Sequence, residues 1–203
     1  MFSISLQCKF KKQSICGFGL IELMVSITIM AIIMAVVIAR HDKFNGAILL
    51  RSQAYEIALQ LREVQLSAVS ATSRSGNYRS NLGIHFDTSS KNSYIVFQDG
   101  ASGVVGRYDS GEQLGAQGVL DPRFEIRAIR RGDNQSALSN VSISFARPDF
   151  DAVFTTSAGS LGTLQSVLIE VGRVGATGNA TDVVRYVEVT ASGQITVKTA
   201  NEL

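Results

Sequence analysis

The sequence predicts an α+β chain: one long N-terminal helix, then a domain built only of antiparallel strands. Three observations predict it. An unbroken apolar run covers residues 18–39. A helical stripe with steps of three and four follows, as far as residue 68. Beyond residue 73 the hydrophobic period falls to two and stays there.

The first 17 residues carry Lys9, Lys11 and Lys12 and no acid. The chain of 203 residues has a formal charge of +2, which becomes −1 once those lysines are set aside. Both cysteines, Cys8 and Cys16, lie in the same stretch. If it is a leader and is removed, no disulfide can staple the rest. A lipid anchor on Cys16 is a poor fit, because the apolar segment follows the cysteine instead of preceding it. The apolar run of 22 residues is long enough to span a bilayer as a helix. Glu22 is its one charged residue. A carboxylate at the centre of such a helix costs about 2.5–3.5 kcal/mol, and less near an end. Glu22 therefore calls for a partner or a function.

Arg40, His41, Asp42 and Lys43 mark the exit from the apolar zone. Asn45-Gly46 is a candidate break or bend, since Gly costs about 1 kcal/mol relative to Ala in a helix. Beyond it, Leu50, Ala54, Ile57, Leu61, Val64 and Ala68 share one face. Arg51, Gln53, Glu56, Gln60 and Glu63 share the other. The expected helix runs from Phe18 to about Ser73, roughly 80 Å at 1.5 Å per residue. Its second half packs under a sheet.

Alternation then predicts strands at 82–86, 93–97, 124–129, 141–145, 152–155, 166–171, 183–189 and 194–197. Turn signals such as Gly132-Asp133-Asn134 and Ser192-Gly193 separate several of them. A glycine-rich loop at 99–118 is expected to lie on the surface and to face a partner.

The search for chemistry finds little. His41 sits at the membrane boundary, and His85 points away from the face of Ile84 and Phe86. No Gly-x-Ser-x-Gly occurs, and no nucleophile–base pair is visible. Asp149, Asp151, Asp99 and Asp109 fall short of the six to eight oxygens calcium takes, and Asp149-Phe150-Asp151 reads as a turn after Pro148. The loop at 99–118 lacks the Gly-Lys-Ser/Thr of a phosphate loop. Arg123, Arg127, Arg130 and Arg131 form one basic cluster, diluted by Glu125. The C-terminal tail has one Lys and one Glu. The reading is therefore no enzyme, no catalytic residue, no metal and no cofactor, with nucleic acid a poor fit.

Gly17-Phe18-Gly19-Leu20-Ile21-Glu22 resembles the type IV prepilin signature, in which Gly-Phe-Thr-Leu-Ile-Glu opens a hydrophobic helix. The resemblance covers the lysine-bearing leader, the Gly17–Phe18 junction and the apolar run. Gly19 departs from it, where Thr or Ser is usual. No proline stands near Ala39, where many major pilins have a kink. The resemblance implies a pilin-like fold, cleavage after Gly17 by a prepilin peptidase, and N-methylation of Phe18. It implies that Glu22 meets the terminal ammonium of a neighbouring subunit. It divides the chain into a leader (1–17), a transmembrane and assembly helix (18–39), its amphipathic continuation (40–75) and a β domain (76–203). The implied partners are other pilin or pseudopilin subunits, an inner-membrane assembly platform, and the lipid bilayer before assembly. The implied location is the cytoplasmic membrane, with the C-terminal domain outside the cytoplasm, and then a pilus or pseudopilus. Residues 145–151 and 187–197 are similar to the GspH/FimT branch of minor pseudopilins. Two alternatives stay open: a DNA-binding minor pilin of an uptake system, and a signal-anchored surface domain that never polymerises.

Overall fold

The computed structural model describes residues 19–70, 80–100, 103–146, 148–178 and 183–203, with the side chains of residues 39–45 excepted. The chain divides between Asp42 and Lys43 into two compact units.

Helix α1 spans Leu20–Val69. It contains no proline, and Gly46 is its one glycine, so nothing in it removes a backbone donor. The helix continues through Asn45-Gly46, which corrects the expectation of a break there. Gly46 has a packing role instead. A Cβ at this position would lie 2.8 Å from Nη1 of Arg173, whose guanidinium lies across the helix backbone.

In the unit Lys43–Leu203, the predicted stripe is the buried one. Leu50, Ala54, Ile57, Leu61, Val64 and Ala68 are all core residues. Burying each of the larger ones contributes about 1.5–3 kcal/mol. Gln65 interrupts the apolar character of this face and is fully buried. Its Nε2 donates to the carbonyls of Phe150 and Gly193, both at 2.9 Å, and its Oε1 accepts from Arg62 at 3.0 Å.

Among the described residues eleven strands follow, in two antiparallel sheets. The first sheet holds β1 (Leu82–Asp87), β2 (Ser93–Gln98), β3 (Gly118–Val119), β6 (Asn140–Phe145), β7 (Ala152–Thr156) and β8 (Gly159–Ser160), in the order β3-β2-β1-β6-β7-β8. The second holds β4 (Phe124–Arg131), β5 (Ala137–Leu138), β9 (Ser166–Arg173), β10 (Val184–Thr190) and β11 (Ile195–Lys198), in the order β11-β10-β9-β4-β5. A 3-10 helix at Ala200–Glu202 follows β11. The eight strands expected from alternation are present. The three it did not give, β3, β5 and β8, have two residues each, too few to show a period.

Register explains which side chains share a face. Ile84 opposes Ile143 and Phe86 opposes Val141 in the first sheet. Ile129 and Val187 flank Ile169 in the second. These residues and the buried stripe of α1 form a single core, drawn wholly from residues after Lys43. The arrangement is an α+β, pilin-like one: an apolar N-terminal helix, its amphipathic continuation, and antiparallel sheets.

The loop after β2 folds back on the outer face of the first sheet. The Asp99 carboxylate is buried and accepts the Gly106 N–H at 2.8 Å. Thr155 donates its hydroxyl to the Gly106 carbonyl at 2.7 Å. The Tyr108 ring packs on Phe97 and His85, with centroids at 5.7 and 5.1 Å. Among the described residues Ser144 Oγ, buried here, has no hydrogen-bond partner.

Candidate functional site

The helix N-terminus is built from the residues the sequence singled out, as far as they are described. Gly17 and Phe18 lie outside the described residues. From Leu20 to Ile38 the helix is apolar enough to cross a membrane, with a mean hydropathy of 2.7 and no residue buried. In a nonpolar surrounding every polar group there must be satisfied within the helix. The two hydroxyls are: Ser26 donates to the Glu22 carbonyl at 2.8 Å, and Thr28 to the Met24 carbonyl at 2.7 Å. The Gly19 carbonyl receives both the Glu22 and Leu23 N–H groups, at 3.0 and 3.2 Å.

Glu22 sits in the first turn of α1 and is exposed. The unpaired N–H groups of a helix start favour a negative charge in this position. No cation lies within ion-pairing distance of its carboxylate among the described residues. The carboxylate is thus placed where its own helix tolerates it, and where an outside cation can reach it. The large side chains around it, including Leu20, Ile21, Leu23 and Met24, are more than half exposed. An apolar surface of this extent calls for lipid or protein cover.

Residues 12–38 match the prokaryotic N-terminal methylation motif. No curated protein and no solved structure matches the chain. The motif defines a type IV prepilin-like N-terminus. It marks a pilin-like processed subunit, a class structural in general and not enzymatic. It implies processing by a prepilin peptidase and assembly with other pilins, and it is consistent with inner-membrane anchoring through the apolar helix.

The basic cluster of the second sheet is neutralised internally. Arg123 pairs with Asp121 at 2.7 Å and Arg131 with Asp133 at 2.9 Å. Arg130 and Arg127 both reach the buried Glu170, at 3.0 and 3.6 Å. A bulge between Ile126 and Ala128 sets Arg127 out of register. Its guanidinium also donates to the Gly178 carbonyl. The guanidinium beside Asp121 holds that carboxyl down at about 2. Arginines engaged in this way offer little to a phosphate backbone.

Three groups combine burial with titration. His85 Nδ1 lies 2.8 Å from Ser142 Oγ, which also accepts the Tyr108 N–H at 3.1 Å. Burial pushes the His85 pKa down, and nearby Asp87 opposes that. Ser142 is fully buried; its contact with His85 joins β1 to β6, and the Tyr108 N–H ties the loop to the same hydroxyl. Cross-strand register brings the two together, and no sequence spacing announces it. Burial raises Asp99, with Glu112 and Asp109 adding to the effect and the Gly106 N–H opposing it. Burial raises Tyr94 to about 12, helped by Glu56 and Glu63 on the helix. Among the described residues no group of three metal-binding side chains comes together. Asp149 and Asp151 are exposed beside the turn at Pro148.

Proposed function

We propose that the chain is a prepilin cut between Gly17 and Phe18, N-methylated on Phe18, and assembled into a type IV pilus or a type II secretion pseudopilus. Glu22 carries this reading. It is the one charge in an exposed apolar helix within the methylation motif, and no group among the described residues pairs with it. A terminal ammonium on residue 18 of a neighbouring subunit is a cation of the right sign, located at the same depth. Before assembly residues 18–39 rest in the cytoplasmic membrane, with residues 76–203 on its outer side and residues 40–75 linking the two. Extraction from the membrane requires an assembly platform. The order of one helix and then strands only supports the GspH/FimT type of minor subunit. So does a closing β10–β11 hairpin that turns at Gly193.

N-terminal sequencing of the membrane-bound product is the first test, with Phe18 expected as its first residue. A start at Met1, or a cut beyond Ala39, overturns the reading. The second test separates processing from assembly. Glu22→Ala should be cleaved as wild type is, yet be depleted at least tenfold from sheared filaments. Equal recovery would remove the role given to Glu22.

A further inference from the structure

The amphipathic half of α1 carries a second apolar stripe, on the side opposite the core. Ile48, Tyr55, Leu59 and Leu66 are 44–68% exposed, although each is a large apolar residue. At 3.6 residues per turn, all four fall within about 40° of one another around the helix. Ser52 and Arg62, both exposed, fill the gaps, so the exposed positions step by four and three from 48 to 66. That spacing is the seam of a two-helix contact, with Ser52, Leu59 and Leu66 in one set of seam positions and Ile48, Tyr55 and Arg62 in the other. The two flanks of the seam differ in charge. Arg51 lies about 60° to one side, and Glu56 and Glu63 lie about 60–80° to the other. Gln53 donates to Glu56 and Gln60 to Glu63, yet neither carboxylate pairs with a cation among the described residues. Nor does a carboxylate pair with Arg51 among them; its guanidinium rests over the Tyr55 ring at 5.4 Å.

One positive flank and one negative flank decide what can cover the seam. Two such helices laid face to face and parallel set the arginine flank of each against the glutamate flank of the other. Laid antiparallel, they set arginine against arginine and glutamate against glutamate, and like charges repel. In the parallel pair Arg51 reaches position 56 of the other helix, the five-residue offset at which flanking side chains meet across such a seam. Arg62, on the seam itself, falls beside Glu63 of the second copy. We propose that this face of α1 binds a second copy of the chain, parallel and in register, with an Arg51–Glu56 ion pair on each side of the seam. The seam covers nineteen residues, residues 48–66, which is under three heptads. So short a contact is weak alone and works where copies are crowded together. It rests on the assembly reading for that crowding, and it adds a contact and an orientation that Glu22 does not supply.

Cysteine cross-linking of the full chain, in membranes of cells that make it, tests the pair. Cys8 and Cys16 are the only cysteines in the sequence, and both are first replaced by serine. Ile48→Cys and Leu66→Cys, each alone, should then give a disulfide-linked dimer under a mild oxidant. An antiparallel pair would hold two copies of position 48 roughly 27 Å apart, eighteen residues at about 1.5 Å each, and would link only a mixture of the two variants. Arg51→Glu or Glu56→Arg should cut the Ile48→Cys dimer about fivefold, because two ion pairs become two repulsions. Both changes in one chain restore opposite charges across the seam and should restore the dimer. Linkage only in the mixture overturns the parallel pair. So do cross-links to other proteins with none between copies, or a double charge swap that fails to recover the dimer. N-terminal sequencing of the wild-type chain separates this proposal from the reading it rests on. A start at Met1 beside an intact dimer refutes the processing alone, and a start at Phe18 without a dimer refutes the helix contact alone.

Discussion

Gly193 and Gln65 show how single residues fix the end of the fold. Gly193 has a φ of +77°, and a Cβ there would fall 1.9 Å from the Phe150 carbonyl oxygen. That same carbonyl accepts a bond from Gln65. Gly193→Ala thus meets both a left-handed backbone and a blocked space. It should destabilise the unit by about 2–3 kcal/mol, read as a lower urea midpoint. His85 provides a prediction of opposite character, because it depends on pH. Burial holds its folded pKa below the ordinary 6.5, so the unfolded chain binds the proton more readily. The stability it contributes is complete above pH 6.5 and is lost as pH falls through the folded value. Asp99 runs the other way: its raised pKa means that acid relieves a cost already present at neutral pH. The difference between wild type and His85→Gln isolates the histidine. Their gap in urea midpoint should hold steady above pH 7 and narrow as pH falls below 6.5. A gap independent of pH would show that His85 titrates alike in both states.

At the scale of elements, helix α1 puts opposite demands on neighbouring positions. Leu61 is fully buried against both sheets' core, while Leu59 is 68% exposed. Leu61→Ala should cost about 2–5 kcal/mol in urea unfolding of the unit. Leu59→Ala should change stability by no more than about 0.5 kcal/mol. Equal effects would mean that the helix is not seated as described. This contrast was legible in the sequence, because a period of 3.6 over nineteen residues assigns a face to each position. The strands were legible for the same reason with a period of two. What escaped was set by contacts distant in sequence. The loop at 99–118 reads as open surface, yet Asp99 and Thr155 clasp Gly106 from two sides. Asn45-Gly46 reads as a break, yet its glycine makes room for Arg173. Local pairing was there to be found: Arg107-Tyr108-Asp109, Asp121-Pro122-Arg123 and Arg131-Gly132-Asp133 each set opposite charges two apart, and all three pair. At the N-terminus the sequence was the more informative source. The Gly17–Phe18 junction is carried by residue identity, whereas Glu22 acquires structural meaning from its first-turn position.

The molecule as a whole separates two kinds of apolar surface. Residues 20–38 expose theirs, while Lys43–Leu203 gathers a buried core of its own. This division makes a prediction about cooperativity. The core of the second unit joins α1, the first sheet through Ile143 and the second through Ile169, with no boundary between them. Small domains with one core unfold in a single step. The unit has no tryptophan, so tyrosine fluorescence and far-ultraviolet circular dichroism are the available probes. Tyr94 reports from the first sheet and Tyr186 from the second. Ile143→Ala and Ile169→Ala, one in each sheet, should each lower the urea midpoint by about 2–5 kcal/mol of stability. Both probes should move together in both variants, because neither sheet can lose its inner face without opening the other's. If one probe shifted while the other stayed in place, the sheets would be separate folding units. Coincident transitions would instead establish one cooperative unit joined to a helix that needs other cover.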